Sequence, residues 1–191
     1  MSPTDDARSM RERMLAGDLY LADDPELIAG IQRAQRFMAT YNTPTTDRET
    51  RGKALDGALG AIGEDSEIRP PFHVDYGENI RIGARFFANF GLVALDCCPI
   101  TVGDDVQLGP NVQLLTPLHP MEARARRDKW EYAAPITVGD NVWIGGGAMI
   151  LPGVSIGDNV VIGSGSVVTK DVPADTLAVG NPARVIRELH G

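Results

Sequence analysis

Val138-Gly-Asp-Asn-Val-Trp-Ile-Gly-Gly-Gly-Ala-Met-Ile-Leu-Pro-Gly-Val-Ser-Ile-Gly-Asp-Asn-Val-Val-Ile-Gly-Ser-Gly-Ser-Val-Val-Thr-Lys-Asp-Val-Pro173 is the stretch that decides the fold. Val138, Ile144, Ile150, Ile156, Ile162 and Val168 recur every sixth residue. A second series follows four residues behind each leader: Val142, Ala148, Val154, Val160, Ser166 and Val172. A helix repeats its apolar face every 3.6 residues and a flat strand every 2. A period of six describes a parallel β-helix, in which a short strand and a corner recur three times per coil. Gly139, Gly145, Gly157 and Gly163 directly follow four of the leaders. Their expected role is to supply the backbone conformations that tight corners need.

Upstream the ladder continues through Ile62, Ile68, Val74 and Ile80. It slips by two to Ile82, Ala88, Ala94 and Ile100, and by two again to Val102, Leu108 and Leu114. Extra corner residues account for such slips. The ladder stops after Leu118 and resumes at Ile136, and the gap from His119 to Pro135 carries Glu122, Arg124, Arg126, Arg127, Asp128, Lys129 and Glu131. A segment this charged is expected to leave the prism as a loop at about 117–135, and long loops in compact repeats often carry function.

Residues 1–60 lack the period and read as helices. Ser9-x-x-Glu12 is a capping box for a helix ending at Gly17. Asp24-Pro25 opens a second helix with Leu27, Ile28, Ile31, Ala34, Phe37, Met38 and Tyr41 on one face, stopping near Pro44. Thr46-x-x-Glu49 opens a third that ends near Gly60. The expected organisation is a helical segment over 1–60 and a β-helix domain over 61–191.

The chain has 191 residues and a formal net charge of −8. That balance argues against a nucleic-acid partner, which needs clustered Lys and Arg. No apolar run approaches a membrane span, and the polar, acidic N-terminus does not read as a secretion signal. The only cysteines are adjacent, Cys97 and Cys98, with no zinc-type spacing. A cytoplasmic protein with reduced thiols and no metal is expected.

The quoted stretch and its continuation Gly180-Asn-Pro-Ala-Arg-Val-Ile-Arg187 resemble the hexapeptide acyltransferases. Arg13-Met-Leu-Ala-Gly-Asp-Leu-Tyr20, Pro71-Phe-His-Val-Asp-Tyr-Gly-Glu-Asn-Ile80, Phe86-Phe-Ala-Asn-Phe90 and Thr116-Pro-Leu-His-Pro120 narrow the resemblance to the maltose and galactoside O-acetyltransferases, closest to the maltose branch. It covers nearly the whole chain. It implies a mainly β fold, a left-handed parallel β-helix behind a small α-helical N-terminal segment. It also implies a homotrimer with sites between subunits, acetyl-CoA as donor and a sugar as acceptor.

Such a reaction needs a base for the acceptor hydroxyl, a donor to the developing oxyanion and alignment of both substrates. No activated cysteine or serine is evident, so direct attack in a ternary complex is expected. Of three histidines, His190 is next to the C-terminus and His73 lies outside any matched catalytic motif. A lone loop histidine is usually a solvated side chain, but the Thr116-Pro-Leu-His-Pro120 match implies that His119 is the base. The resemblance carries Asn89 and Asp96 to acceptor-binding positions, although both residue types also suit left-handed corners. Asp75 and Phe87 stand where the galactoside branch tends to have serine and tyrosine, which favours a maltose- or glucose-like acceptor. Asp23 and Glu131 are further acceptor-side candidates, each equally readable as a solvated charge.

On the donor side the resemblance implies a backbone N–H from Gly146, a groove lined by Ser164, Thr169 and Lys170, and phosphate contacts from Arg184 and Arg187. Trp143 either lines the site or packs between subunits, and Cys97 and Cys98 have no assigned role. Another acceptor class (an amino sugar, a lipo-oligosaccharide, serine or an antibiotic) and a non-catalytic scaffold stand as alternatives. A metal-dependent lyase on this prism would need three grouped histidines, which the spacing of His73, His119 and His190 does not supply.

Overall fold

The computed structural model describes residues 6–189. It is a mainly β solenoid of three parallel sheets with helices at the N-terminal end. In the first sheet Ile62, Ile82, Val102, Val138 and Ile156 lie in register. The second sheet aligns Ile68, Ala88, Leu108, Ile144, Ile162 and Ala178. The third aligns Val74, Ala94, Leu114, Ile150 and Val168. The chain visits the sheets in that order, so each coil turns three edges, from first to second sheet, second to third, and third back to first. Neighbouring coils are about 4.8 Å apart.

Leaders and followers fill the axis. Ile144, Ile150, Ile162, Val142, Ala148 and Val160 are all 0–1% exposed. Both slips of the ladder fall at the third edge. The strands Ile80–Ile82 and Ile100–Val102 bury their first and last residues, so each adds one inward position two residues on.

The glycines after the leaders do a different job from the one expected. Gly139, Gly145, Gly157 and Gly163 do not have positive φ. A Cβ on Gly139 would collide with the Asp158 carboxylate, and one on Gly145 would lie 2.5 Å from the Ser164 nitrogen. They permit close approach of the next coil. Left-handed backbone at the first edge falls instead on Asp65, Arg85, Asp105, Asn141 and Asn159. That edge is braced by a carboxylate ladder: Asp104, Asp140 and Asp158 accept the backbone N–H of Ala84, Asp104 and Asp140, each at 2.8 Å.

Helix α1, Met10–Ala16, has the Ser9–Glu12 capping box and ends on Gly17 at φ 79°. Helix α2, Pro25–Tyr41, is capped by Asp24 and buries Leu27, Gly30, Ala34, Phe37 and Tyr41, while Ile28 is 40% exposed. Helix α3, Arg48–Ala58, is capped one residue later than expected: Asp47, not Thr46, accepts from the Thr50 N–H. The Thr46 hydroxyl donates instead to the Thr40 carbonyl. The helical segment shares its core with the prism, since Ala34, Phe37, Tyr41, Leu55 and Leu59 join the cluster that runs along the axis.

The charged segment does leave the prism, but as an ordered hairpin. Strand Pro117–Leu118 pairs antiparallel with Trp130–Ala133, and helix α4, Ala123–Arg127, forms the tip. Tyr20–Leu21 adds a third strand through Tyr20↔Glu131 and Leu21↔Trp130. A second small core of Met14, Tyr20, Leu27, Tyr76, Cys97, Cys98 and Ala133 binds the N-terminus, this hairpin and the third edge together.

Candidate active site

The candidate residues divide between two edges of the prism. At the third edge, Asp96 is 0% exposed and accepts the backbone N–H groups of Asp75 (3.1 Å), Tyr76 (2.8 Å) and Asn79 (3.2 Å). The Asn79 amide returns a hydrogen bond to the Asp96 carbonyl at 2.7 Å. Asp96 is thus a corner brace through its side chain, without left-handed backbone of its own, and it orders the turn that carries Asp75.

Asp75 is half-buried and accepts from the Cys97 thiol at 3.4 Å. Burial pushes its carboxyl up to about 6; the Cys97 contact opposes this, and nearby Asp96 and Glu131 add to it. Tyr20 is 0% exposed and donates to Glu131 at 3.1 Å. Burial drives its hydroxyl well above the usual tyrosine range. Burial also raises both thiols, Cys98 to about 11, so neither is a thiolate at neutral pH. Cys98 donates to the Met14 carbonyl at 3.1 Å, which fastens α1 to the prism. The cysteines therefore have structural roles that adjacency in sequence did not disclose, because their partners lie far away along the chain.

His119 follows directly on Leu118, and the next step of the Leu118↔Tyr132 register runs it past Glu131. Its side chain is exposed, and its imidazole has no hydrogen-bonding partner among the described residues. Asp23 is exposed in the turn after Tyr20–Leu21. Thr169 and Lys170 lie exposed two coils further along the same edge. His73 faces outward on the third sheet, and His190 is outside the described residues.

The second edge carries the other set. Asn89, half-buried, accepts the Phe90 N–H at 2.8 Å, and Phe87 lies on the outer face of the second sheet just before it. Two coils on, Gly146 sits where a Cβ would meet the Pro110 ring at 3.0 Å. The Gly146 carbonyl accepts from Gly165, whereas its N–H has no acceptor among the described residues. Ser164, one coil further, is exposed. Arg184 and Arg187 lie exposed on Ala183–Glu188, which pairs antiparallel with Thr176–Gly180 at the end of the second sheet.

Two family models match this chain, the maltose acetyltransferase hexapeptide capping motif over residues 13–63 and the bacterial transferase hexapeptide (six repeats) over residues 135–170. Nodulation protein L of Rhizobium leguminosarum bv. viciae is 49% identical over 180 residues, 93% of this chain and 94% of that protein. The crystal structure of a maltose O-acetyltransferase from Clostridium difficile 630 superposes with a TM-score of 0.95 at 44% identity, covering 97% of this chain and 100% of that one. The chain belongs to the maltose/galactoside O-acetyltransferase family. A galactoside acetyltransferase solved in complex with coenzyme A is equally full-length in its likeness, with a TM-score of 0.92 at 41% identity, covering 96% of this chain and 92% of that one. As a member of this family the protein is an acyltransferase of the hexapeptide-repeat kind.

Proposed function

We propose that this acyltransferase moves the acetyl group of acetyl-CoA to a hydroxyl of a maltose- or glucose-like sugar, by direct attack in a ternary complex. The observation that carries the reading is that an imidazole, His119, and a backbone donor, the Gly146 N–H, both stand without a hydrogen-bonding partner among the described residues. A base and an oxyanion donor are the two groups the reaction demands. The acceptor hydroxyl gives its proton to His119 as its oxygen forms the new ester bond. The C–S bond of the thioester breaks and His119 returns that proton to the departing coenzyme A thiolate, so the enzyme ends as it began. The buried, protonated thiols of Cys97 and Cys98 support direct transfer over an acyl-enzyme.

The two groups lie on different edges of one chain, with the third sheet between them. A homotrimer resolves this, because a ring of identical subunits sets the third edge of one against the second edge of the next. In this arrangement Asp23, Asp75 and Glu131 approach the acceptor from one subunit, and Phe87 and Asn89 from its neighbour. Ser164, Thr169, Lys170, Arg184 and Arg187 line the donor path toward the last coils. Two free, buried thiols suit a reducing cytoplasm, the compartment we propose.

The test follows thiol release from acetyl-CoA with maltose, glucose, galactosides, amino sugars and serine. Release that depends on maltose or glucose is expected, and release with serine or amino sugars alone would replace the acceptor assignment. His119→Ala should lower kcat by about 100-fold or more, the usual scale of a lost base, while calorimetry shows coenzyme A still bound. Wild-type turnover in that variant would remove His119 as the base.

A further inference from the structure

Below Asn89 the second edge runs into a cavity with a charge unlike the rest of this acidic protein. Arg69 lies one rung beneath Asn89, in the register that pairs Ile68 with Ala88. Its guanidinium stands 5.0 Å from the Phe87 ring centre and 5.3 Å from that of Phe90, whose ring is left 52% exposed. On its other side Arg69 lines a cavity of ≈300 Å³ between α3 and the first coil, together with Arg48, Arg51, Tyr41 and Ser66.

The three guanidiniums outnumber the one carboxylate there, Glu67, which contacts Arg69 at 3.4 Å across a solvent-exposed pair. An exposed pair of this kind contributes little and leaves most of the guanidinium's donors available. Arg51 is fixed by donating to the Tyr41 and Thr43 carbonyls at 3.0 and 2.9 Å. Neither Arg48 nor Arg51 has a carboxylate partner among the described residues. A positioned guanidinium fork beside an open aromatic face is suited to a sugar bearing a carboxylate, phosphate or sulfate group.

We infer that the preferred acceptor within the maltose- or glucose-like class is an anionic saccharide of more than one ring, whose charged end enters this cavity. The inference rests on the sugar O-acetyltransferase reading and extends its acceptor. Arg69 lies three coils below the Gly145 rung, about 14 Å along the axis at the strand spacing, too far for one ring to reach both. The inner ring of the acceptor lies near Asn89 and Phe87, the next ring stacks on Phe90, and the anionic group meets Arg69 and Arg48.

The experiment compares reduced sugars with their aldonates: glucitol with gluconate, maltitol with maltobionate, and maltotriitol with maltotrionate. Each pair shares an open-chain end and differs only in a CH2OH or a carboxylate there. Thiol release from acetyl-CoA should favour maltotrionate over maltotriitol by about tenfold in kcat/KM, the scale of one charge-assisted hydrogen bond. The preference should reside in KM, shrink with added salt and be absent for gluconate. Arg48→Gln and Arg69→Gln should each bring the ratio toward one, and Arg48→Glu should invert it. Arg48 forms no hydrogen bond through its side chain, so its replacement changes charge without removing a structural contact. Release with maltotriitol and maltotrionate at equal kcat/KM overturns the inference and leaves the transferase reading standing, as does a preference that survives Arg48→Glu. No release with any sugar, neutral or acidic, overturns both.

Discussion

Asp75 and Asp96 carry the same functional group in one corner and are held in opposite ways. Asp96 has three backbone N–H groups on its carboxylate, whereas Asp75 accepts one weak bond from a thiol and faces two other carboxylates. Burial raises both carboxyls, that of Asp75 from 3.8 to about 6 with Asp96 and Glu131 adding to it. A raised acid binds its proton more tightly in the folded chain than in the unfolded one. Its contribution to stability is therefore complete below pH about 4 and is lost as pH rises through about 6. At about 1.4 kcal/mol for each pH unit between those two values, the upper bound is roughly 3 kcal/mol per chain. Wild type should lose stability relative to Asp75→Asn between pH 5 and pH 7.5, read by urea unfolding of both proteins at both pH values. A constant difference would show that Asp75 is ionised across that range. Asp96→Asn should act differently. It turns Oδ2, the acceptor of the Asn79 N–H, into a donor while Oδ1 keeps the Asp75 and Tyr76 N–H groups, costs about 1–3 kcal/mol, and loosens the turn that presents Asp75.

At the scale of elements, the parts legible in the sequence are those governed by local period and capping. The ladder, the slips of two, the helix starts at Ser9 and Asp24, and the emergence of the segment after Leu118 all depend on residues near one another in the chain. The hairpin was not legible, because Pro117–Leu118 and Trp130–Ala133 are short and find their third strand only at Tyr20–Leu21, far upstream. The partners of Cys97, Cys98 and Tyr20 were hidden for the same reason. Sequence also misassigned the glycines after the leaders, since close approach between coils is a property of the stacked molecule. Tyr20 braces the hairpin that carries His119 and Glu131, through its strand pairing and its hydroxyl. Tyr20→Phe deletes the hydroxyl that donates to Glu131, a hydrogen bond to a charged group worth about 1.5–3 kcal/mol. The variant should unfold at lower temperature and show a raised KM for the acceptor, with coenzyme A binding unchanged. An unaltered KM beside a lowered Tm would confine Tyr20 to stability and detach the N-terminal strand from acceptor binding.

At the scale of the whole molecule, three sheets make three edges, and each edge has a distinct occupation. The first is filled by the Asp104–Asp140–Asp158 ladder, which holds coil to coil. The other two divide the proposed chemistry, with His119 on the third and Asn89 and Gly146 on the second. If neighbouring chains complete each other's sites, two inactive proteins can repair one another. A ring of three has three such sites, each drawing His119 from one chain and Asn89 from the next. His119→Ala and Asn89→Ala chains should each be inactive as pure trimers. Denatured together in equal amounts and refolded, about three quarters of the trimers are mixed, and each mixed trimer keeps one intact site of three. The mixture should therefore regain about one quarter of wild-type turnover, while trimers folded separately and then mixed should regain none unless subunits exchange. Had both residues served a site within one chain, no mixing protocol could restore activity, because every chain would still lack one of them.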